Sequence, residues 1–307
     1  MATDCNEFES ILSKYEKQRI NTYRILELYS SEFMTALVGA EEQQKKYANM
    51  LSCGTQLGFI QDTTGIYHLK QANFCRERIC PMCQFRKSEK LFAEMLQVCE
   101  LLKDKYRFLH LVLTVPNAKT SGELIDTIKL LYKGFNKFFK YKSIERAFKG
   151  CIRCLEISYN YNNDSFHPHL HCLIAVNKSY FNDSKSYLKY ETLRELWSKA
   201  CCSKELLQIY VRACDNDNYE GVAEVCKYSV KPLEWDSEAS YIQNINILVT
   251  LSHALKGQRF VQKYGVIKDA FKVIKNHKTE DNNENNNTLY YNWDSSLQKY
   301  TNVNYMY

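Results

Sequence analysis

Two strand-like runs on either side of a short polar segment place the strongest constraint on the fold of this chain. Residues 152–160 and 168–176 are mostly apolar and include isoleucine and valine, whereas residues 161–166 include Asn, Asp and Ser. Two such runs joined by a short polar segment are typical of a β-hairpin. The sequence therefore predicts an antiparallel hairpin near the middle of the chain.

Histidines alternate along the second run of this hairpin. Because successive side chains of a strand point to opposite faces, His169 and His171 project from the same face. Paired positions in a hairpin have a constant sum, so a turn centred on residues 162–163 places Glu156 opposite His169. A turn centred one residue later places Glu156 opposite His171 instead. Both registers bring a carboxylate to the two imidazoles.

Two imidazoles and a carboxylate form an open donor set. Such a set suits a divalent ion such as Mg²⁺ or Mn²⁺ that keeps positions free for a phosphate oxygen. The alternative is that these are ordinary half-buried histidines, but the chain has only seven histidines, and two alternate within reach of one glutamate. We therefore expect Glu156, His169 and His171 to bind a catalytic metal ion. His167 precedes Pro168, which disturbs the ladder, and is a candidate substrate contact.

The cysteines predict a second metal site. Thirteen cysteines in a chain without an export signal argue against a disulfide framework. Cys75, Cys80 and Cys83 have the close spacing with which one tight turn offers thiolates to a tetrahedral ion. The fourth ligand is Cys53 in our first interpretation and His68 in the alternative. We expect a structural Zn²⁺ that folds a small module, against the simpler reading of reduced, partly buried thiols.

A predicted helix over residues 221–230 carries an acid and a phenol. Glu224 and Tyr228 are spaced i and i+4, so they are neighbours on one helix face. A tyrosine hydroxyl can attack a metal-bound phosphodiester, and a neighbouring carboxylate can activate water or a 3′-hydroxyl. Lys227 and Lys231 can stabilise negative charge on the phosphate. With 23 tyrosines in the chain, this spacing gains its weight from the histidine strand upstream.

Basic side chains are concentrated in two segments. The whole chain has a net charge of only +6, but residues 127–150 contain seven basic and one acidic side chain, and residues 70–90 contain six basic and two acidic ones. Such segments favour nucleic-acid binding because Lys and Arg neutralise phosphates, although a solvated helix face is the simpler reading. The candidate DNA contacts are Lys129, Lys133, Lys137 and Lys140 on one face of a predicted helix, and Arg76, Arg78 and Arg86 among the cysteines.

The pattern along the chain predicts an α+β protein with an antiparallel sheet flanked by helices. The expected segments are a helical region over 1–50, a cysteine-rich zinc module over 51–90, an α+β domain over 91–235, a helical extension over 236–275 and a poorly ordered Asn-rich tail over 276–307. No run of about 20 apolar residues is present, and acidic residues stand where a signal peptide is apolar. We expect a soluble intracellular protein.

Five sequence blocks occur together in a characteristic order. They are F-C-R-E-R-I-C-P-M-C-Q-F-R-K over 74–87, L-T-V-P-N over 113–117, L-E-I-S-Y-N over 155–160, F-H-P-H-L-H-C-L-I-A-V-N over 166–177 and E-V-C-K-Y-S-V-K over 224–231. In order and spacing, these blocks resemble the rolling-circle plasmid replication initiators of the HUH endonuclease superfamily, single-tyrosine type. The resemblance covers roughly residues 53–270.

The resemblance implies a function and roles for the motif residues. It implies an antiparallel-sheet nicking domain over 91–235, in which His169 and His171 bind the divalent ion. Tyr228 would be the nucleophile that becomes joined to the 5′ end of the nicked origin strand, and Glu224, at the position of a second tyrosine in other families, would act at termination. The implied partners are single-stranded or supercoiled origin DNA, a host helicase and the replication machinery, in the cytoplasm of a bacterial cell that carries the plasmid.

Two other functions are compatible with parts of this pattern. An HUH transposase or relaxase would use the same chemistry, but relaxases usually place the tyrosine before the histidine motif, and here Tyr228 follows it. A non-catalytic, zinc-containing DNA-binding regulator would need the basic segments and the cysteines. It would need neither the histidine pair nor the tyrosine.

Overall fold

The computed structural model describes residues 2–62, 64–214, 220–226, 238–278 and 288–303. Two compact units are present: the first takes in Met1–Lys87, Pro232–Ser252 and Asn282–Tyr307, and the second takes in Ser88–Lys231 and His253–Asp281. The helices are α1 (Ala2–Tyr29), α2 (Glu32–Val38), α3 (Ala40–Ser52), α4 (Pro81–Leu102), α5 (Ser121–Phe138), α6 (Lys142–Ala147), α7 (Tyr190–Ala200), α8 (Glu220–Val225), α9 (Glu238–Ala254) and α10 (Gly265–Lys278). The strands are β1 (Gln56–Gln61), β2 (Tyr67–Ala72), β3 (Tyr106–Thr114), β4 (Phe148–Asn160), β5 (Ser165–Asn177), β6 (Ile209–Cys214), β7 (Val261–Tyr264), β8 (Leu289–Asp294) and β9 (Lys299–Asn302).

The N-terminal region is helical, as the sequence predicts, and it is divided into α1, α2 and α3. Gly39 separates α2 from α3 with a φ of 83°, a backbone conformation that glycine adopts without steric cost. Arg19 of α1 is fully buried and donates hydrogen bonds to the carbonyls of Met50 and Cys53, at 3.0 and 2.8 Å. This side chain satisfies carbonyls at the end of α3, where the cysteine-rich segment begins.

The sheet of the first unit includes part of the C-terminal tail. Its strand order is β2-β1-β8-β9, with every neighbouring pair antiparallel. The prediction of a poorly ordered tail over 276–307 is therefore wrong for residues 288–303. Trp293 stacks on Tyr23 of α1 with 6.1 Å between ring centroids, and Tyr300 is buried. The high asparagine content of the tail suggested disorder, but aromatic side chains between the asparagines supply the buried surface of these strands.

The sheet of the second unit contains the predicted hairpin. Its order is β6-β3-β5-β4-β7, and each neighbouring pair is antiparallel. The strand-like runs predicted over 152–160 and 168–176 are present as β4 and β5. The α+β fold class with antiparallel sheets is confirmed.

The helical extension predicted over 236–275 is wrong at residues 261–264. Residues Val261–Tyr264 form β7 on the edge of β4, with Val261 opposite Cys154, and α10 begins only at Gly265. Gly265 has a φ of 51°, and a Cβ there would lie 2.2 Å from the carbonyl oxygen of Lys149. The open edge of β4 favours a short strand, and the glycine allows the chain to turn directly into the helix.

The compact units differ from the five predicted segments. Most of the predicted extension over 236–275 is divided between them, since Glu238–Ser252 belongs to the first unit and the residues from His253 belong to the second. Ile267, Ala270 and Phe271 of α10 are part of the hydrophobic core of the second unit. Residues that follow the predicted α+β domain in the sequence therefore complete the hydrophobic core of the second unit.

The two faces of the second sheet are covered by different helices. We call one the histidine face, because Leu173, Ala175 and the histidines of β5 share it; buried residues of α4, α8 and α10 pack there. On the opposite face, the guanidinium of Arg153 lies over the rings of Tyr132 and Phe135 of α5, 4.0 and 5.3 Å from their centroids. The histidine face is thus the face on which α8, and with it Glu224, is packed.

Candidate active site and metal centres

The register of the β4–β5 hairpin decides which side chains meet on the histidine face. Glu156 lies opposite His169, and Ser158 lies opposite His167. This is the register of a turn centred on residues 162–163, the first of the two considered above. Cys154 lies opposite His171, so Glu156 and the two histidines occupy neighbouring positions on one face.

Glu156, His169 and His171, which we call the histidine group, converge with their donor atoms. The Oε2 atom of Glu156 lies 2.9 Å from Nε2 of His171 and 3.7 Å from Nε2 of His169. The two Nε2 atoms are 3.0 Å apart. Ligand bonds of about 2.1 Å leave adjacent ligand atoms around an octahedral ion roughly 3 Å apart, so these spacings fit a small divalent cation. All three side chains are buried.

The imidazole of His169 is oriented by the backbone. Its Nδ1 lies 3.0 Å from the carbonyl oxygen of His167. Because a carbonyl only accepts, Nδ1 of His169 carries a proton and donates it, so Nε2, the nitrogen nearer to Glu156, is the one available to a cation. The arrangement has the proton position that a metal-binding imidazole requires.

The second imidazole contacts a residue that sequence reasoning missed. Nδ1 of His171 lies 3.0 Å from Nε2 of His110 on β3. His110 is buried, and its ring is nearly parallel to that of His171, with 9° between the planes. The available signal was weak: His110 interrupts an apolar strand, but only the pairing of β3 with β5 shows which face it shares.

His167 lies beside the histidine group and has a different partner. Its Nδ1 is 2.7 Å from Oδ1 of Asn117, which follows β3. The amide of Asn117 donates to the hydroxyl of Ser165 at 2.9 Å. These contacts hold His167 at the end of the hairpin, where it remains a candidate substrate contact.

The electrostatics of the histidine group favour a carboxylate at Glu156. Burial opposes ionisation of this side chain, but hydrogen bonds and charge from His169 and His171 outweigh the burial and hold the pKa of Glu156 well below its usual range. A buried carboxylate that stays ionised beside two imidazoles is a ready ligand for a cation.

The predicted tyrosine helix is described only in part. Glu224 is half-buried on α8, whose Val222 and Val225 belong to the core on the histidine face. Gly221 brings the helix close to the sheet: a Cβ there would lie 2.3 Å from Sγ of Cys214 and 3.7 Å from Cβ of His110. Tyr228, Lys227 and Lys231 lie outside the described residues.

The four cysteines chosen from the sequence, Cys53, Cys75, Cys80 and Cys83, come together in the first unit, and we call them the thiolate group. Sγ of Cys83 lies 3.6 Å from Sγ of Cys53 and 3.6 Å from Sγ of Cys75, and Cys80 lies 3.6 Å from Cys53. Zn–S bonds of about 2.3 Å place the sulfur atoms of a tetrahedral site roughly 3.8 Å apart, so the group fits a zinc ion. The alternative ligand His68 is exposed and lies 2.6 Å from Asp62 instead.

Backbone amides and neighbouring thiols support negative charge on this group. The N–H of Cys75 donates to Sγ of Cys53 at 3.3 Å, and the N–H of Arg76 donates to Sγ of Cys83 at 3.2 Å. Hydrogen bonds from the other three sulfur atoms hold the pKa of the Cys83 thiol well below its usual range, whereas the pKa values of Cys53, Cys75 and Cys80 are raised, because four neighbouring thiols cannot all ionise without a compensating cation. Thiolates are the metal-binding form of cysteine, and these contacts orient and stabilise them.

The candidate DNA-binding side chains lie on different parts of the molecule. Lys129, Lys133 and Lys137, which we call the lysine row, belong to α5, the helix that covers the opposite face of the second sheet, away from the histidine group; Lys140 lies just beyond the end of this helix. Lys129 pairs with Asp126 at 3.1 Å, and Lys137 donates to the carbonyl of Lys199 at 3.3 Å. In the first unit, Arg86 donates to the carbonyl of Leu69 at 3.3 Å.

Comparison with known proteins gives the family of the chain. A family model described as "Replication protein" matches residues 66–306. "Protein rep" of a Bacillus species is 33% identical over 272 residues, which cover 81% of this chain and 87% of that protein. "Protein rep" of Staphylococcus aureus is 37% identical over 186 residues, 60% of this chain and 81% of that protein, and "Protein rep" of Streptococcus pneumoniae is 27% identical over 292 residues, 93% and 88%.

The chain therefore belongs to this replication protein family. The predicted relationship to plasmid rolling-circle replication initiators is confirmed, and with it the role in plasmid replication initiation. No solved structure matches the chain at a significant level. Among the residues that the structure describes, no helix has the length and apolar character needed to cross a membrane.

Proposed function

We propose that this initiator nicks one strand at the double-strand origin of its plasmid and becomes covalently joined to the new 5′ end. The convergence of Glu156, His169 and His171 carries the proposal, because it provides an open set of nitrogen and oxygen donors on the face where α8 packs. Tyr228 follows three residues after the end of α8 in the sequence, and it is the proposed nucleophile.

In the proposed step, the phenolic oxygen of Tyr228 forms a bond to the phosphorus of the scissile phosphodiester, and the bond from phosphorus to the 3′-oxygen breaks. The phenolic proton ends on the leaving 3′-oxygen. The products are a 5′-phosphotyrosyl ester and a free 3′-hydroxyl from which a polymerase can extend. Glu156, His169 and His171 would hold Mg²⁺ or Mn²⁺, which when bound would supply Lewis-acid polarisation of a phosphate oxygen.

Three further side chains have proposed roles around this step. Lys227 and Lys231 offer positive charge to the phosphate as negative charge develops on it. Glu224 acts at termination, when its carboxylate takes a proton from water that attacks the phosphotyrosyl ester. A bond then forms from the water oxygen to phosphorus, the bond to the tyrosine oxygen breaks, and the proton passes to the released phenolate. A glutamate at this position favours one hydrolysis and release of the enzyme.

We assign the thiolate group a structural role with bound Zn²⁺. Four sulfur ligands close the coordination sphere and leave no position for substrate, whereas a zinc ion can fold an element too small for its own core. The α5 lysines, Lys140 and the three arginines Arg76, Arg78 and Arg86 are proposed contacts to DNA phosphates outside the scissile site. We further propose a cytoplasmic location and a host helicase and replication machinery as partners.

The test is a covalent-adduct assay. The full-length protein is incubated with a labelled single-stranded segment of the origin of its plasmid and Mn²⁺, and the products are separated on a denaturing gel and mapped by peptide. We expect an adduct that maps to Tyr228 and disappears in Tyr228→Phe. The matched control is Tyr187→Phe, since Tyr187 is an exposed tyrosine elsewhere in the second unit.

Each other outcome of the assay has a defined meaning. Cleavage without an adduct would identify a hydrolytic nuclease and exclude the tyrosine mechanism. An adduct that persists in Tyr228→Phe would refute the choice of nucleophile. Binding without cleavage would support the non-catalytic regulator, in which the histidine group has no catalytic role.

A further inference from the structure

A buried histidine on β3 lies behind one of the proposed metal ligands. In the sheet, His110 is opposite Leu173, and Val112 is opposite His171, so His110 is the diagonal neighbour of His171 on the histidine face. The closest approach joins Nε2 of His110 to Nδ1 of His171 at 3.0 Å. His110 is only 3% exposed.

The geometry separates His110 from the ligands themselves. Glu156 and His169 both approach His171 at Nε2, whereas His110 approaches at Nδ1, the other nitrogen of the same ring. Nε2 of His110 is therefore directed at the imidazole of His171 and away from the point where the three donor atoms of the histidine group meet. His110 does not extend the ligand set.

The contact between the two rings matters for the proton position of the ligand once a cation is bound. When Nε2 of His171 gives its lone pair to a cation, the imidazole proton is on Nδ1, and Nε2 of His110 is the atom placed to accept it. His169 has the same arrangement with a different acceptor, because its Nδ1 lies 3.0 Å from the carbonyl of His167. Each imidazole of the group thus has an acceptor behind it.

We propose that His110 is a positioning residue that holds His171 in the orientation and tautomer needed to bind the divalent ion. The inference rests on the metal site of the proposed function and adds a residue to it. A partner that accepts from the ligand imidazole raises its basicity and restricts its rotation, and loss of such a partner typically weakens metal binding by about 10- to 100-fold.

A purely structural role for His110 makes a different prediction. An apolar side chain of similar size fills a buried strand position at least as well as imidazole does. If His110 only fills space, His110→Phe leaves the affinity of the folded protein for metal unchanged. If it acts as the acceptor, His110→Phe loses affinity, and His110→Gln retains it because the side-chain carbonyl of glutamine can accept from Nδ1 of His171.

The experiment measures Mn²⁺ binding to the full-length protein by the loss of the electron paramagnetic resonance signal of free Mn²⁺. Wild type, His110→Phe and His110→Gln are titrated in parallel, and His171→Ala identifies the binding that belongs to the histidine group. We expect the dissociation constant to rise about 10- to 100-fold in His110→Phe and to stay within a few-fold of wild type in His110→Gln. Thermal denaturation shows that each variant is folded.

The outcomes separate this inference from the proposed function. If wild type binds Mn²⁺ through His171 and His110→Phe binds it equally well, the positioning role is overturned and the metal site stands. Equal weakening in His110→Phe and His110→Gln also overturns the acceptor role. If wild type has no binding that depends on His171, the metal site itself is wrong. If His110→Phe does not fold, His110→Asn replaces it. Asparagine carries the same amide group as the glutamine of His110→Gln, but its side chain is too short to reach His171.

Discussion

The thiolate group of the first unit and the histidine group of the second unit are built in different ways. Three of the four cysteines lie within nine consecutive residues, over 75–83, and all four ligands are sulfur. The histidine group takes its donors from two strands of one hairpin and combines nitrogen with oxygen. The first group closes a coordination sphere, whereas the second leaves positions for a substrate.

The difference indicates what each group contributes. A closed sulfur site stabilises the fold around it, so its removal should cause loss of folded structure. An open site of nitrogen and oxygen ligands is held by a sheet that is already stabilised by its own core. Removal of a ligand from that site should therefore cause loss of catalytic activity and not of structure. Removal of a single ligand should therefore lower the stability of the fold in the thiolate group, and should abolish nicking with the fold retained in the histidine group.

The largest expected effect is the loss of zinc and of folded structure in Cys53→Ser. Structural zinc contributes on the order of 10–16 kcal/mol in small zinc-finger peptides, so we expect the first unit to lose much of its stability without it. Elemental analysis of the protein purified without chelator should give one equivalent of zinc for wild type and much less for the variant, whose thermal transition should fall or disappear.

The matched control for this experiment is His68→Gln. His68 was the alternative ligand, but it is exposed and lies 2.6 Å from Asp62. We expect His68→Gln to keep its full equivalent of zinc. Loss of zinc in this variant, or absence of zinc from wild type, would contradict the thiolate group as the structural site.

The next largest effect is the loss of nicking in His169→Ala with the fold retained. Removal of a ligand should cost several kcal/mol of transition-state stabilisation, which corresponds to about a thousandfold in rate. The measurement is the rate of adduct formation, with the zinc content and thermal transition measured beside it. His253→Ala, at an exposed position, is the control. A variant that also loses zinc or unfolds would break the contrast between the two groups.

Much of the geometry of both groups could be predicted because it depends on residues that are close together in the sequence. The parity of a strand put His169 and His171 on one face, and the constant sum of a hairpin reduced the partner of Glu156 to two choices, of which one is present. The spacing of the three clustered cysteines likewise defined one side of the thiolate group. In each case the chain needs only a few neighbouring residues to specify the geometry.

The missed features depend on contacts between distant residues. His110 and His171 are 61 positions apart and meet only because β3 pairs with β5. Tyr300 lies on β9, which pairs with β8, and β8 in turn pairs with β1; no local pattern identified these partners. Strand pairing of this kind is set by the packing of the whole sheet, whereas composition alone made the C-terminal tail look poorly ordered.

A smaller effect is expected at the part of the tail that completes the first unit. The hydroxyl of the buried Tyr300 donates to the carbonyl of Gly54, beside Cys53. Tyr300→Phe should lower the free energy of unfolding by about 1 kcal/mol, because it leaves that acceptor without its donor. Thermal denaturation measures the change, and Tyr290→Phe is the control, since the hydroxyl of Tyr290 is more exposed and bonds to Gln71 at 3.1 Å. Equal effects would show that the buried hydrogen bond to Gly54 contributes no more than the exposed one to Gln71.

The smallest effect concerns the lysine row of α5, which covers the face of the second sheet opposite to the histidine group. Lys133 is exposed on this helix. If Lys133 contacts a DNA phosphate, Lys133→Gln should reduce the salt dependence of binding to duplex origin DNA. The slope of the logarithm of the association constant against the logarithm of the salt concentration should fall in magnitude by about 1. Lys204→Gln, at another exposed position, is the control.

Cleavage of a short single-stranded oligonucleotide should stay unchanged in Lys133→Gln, because that substrate reaches only the histidine group. An unchanged salt slope would identify the row as a solvated helix face. A loss of oligonucleotide cleavage would mean that the two faces of the sheet act on the same part of the DNA. Only a change confined to duplex binding assigns phosphate contacts to one face and strand cleavage to the other.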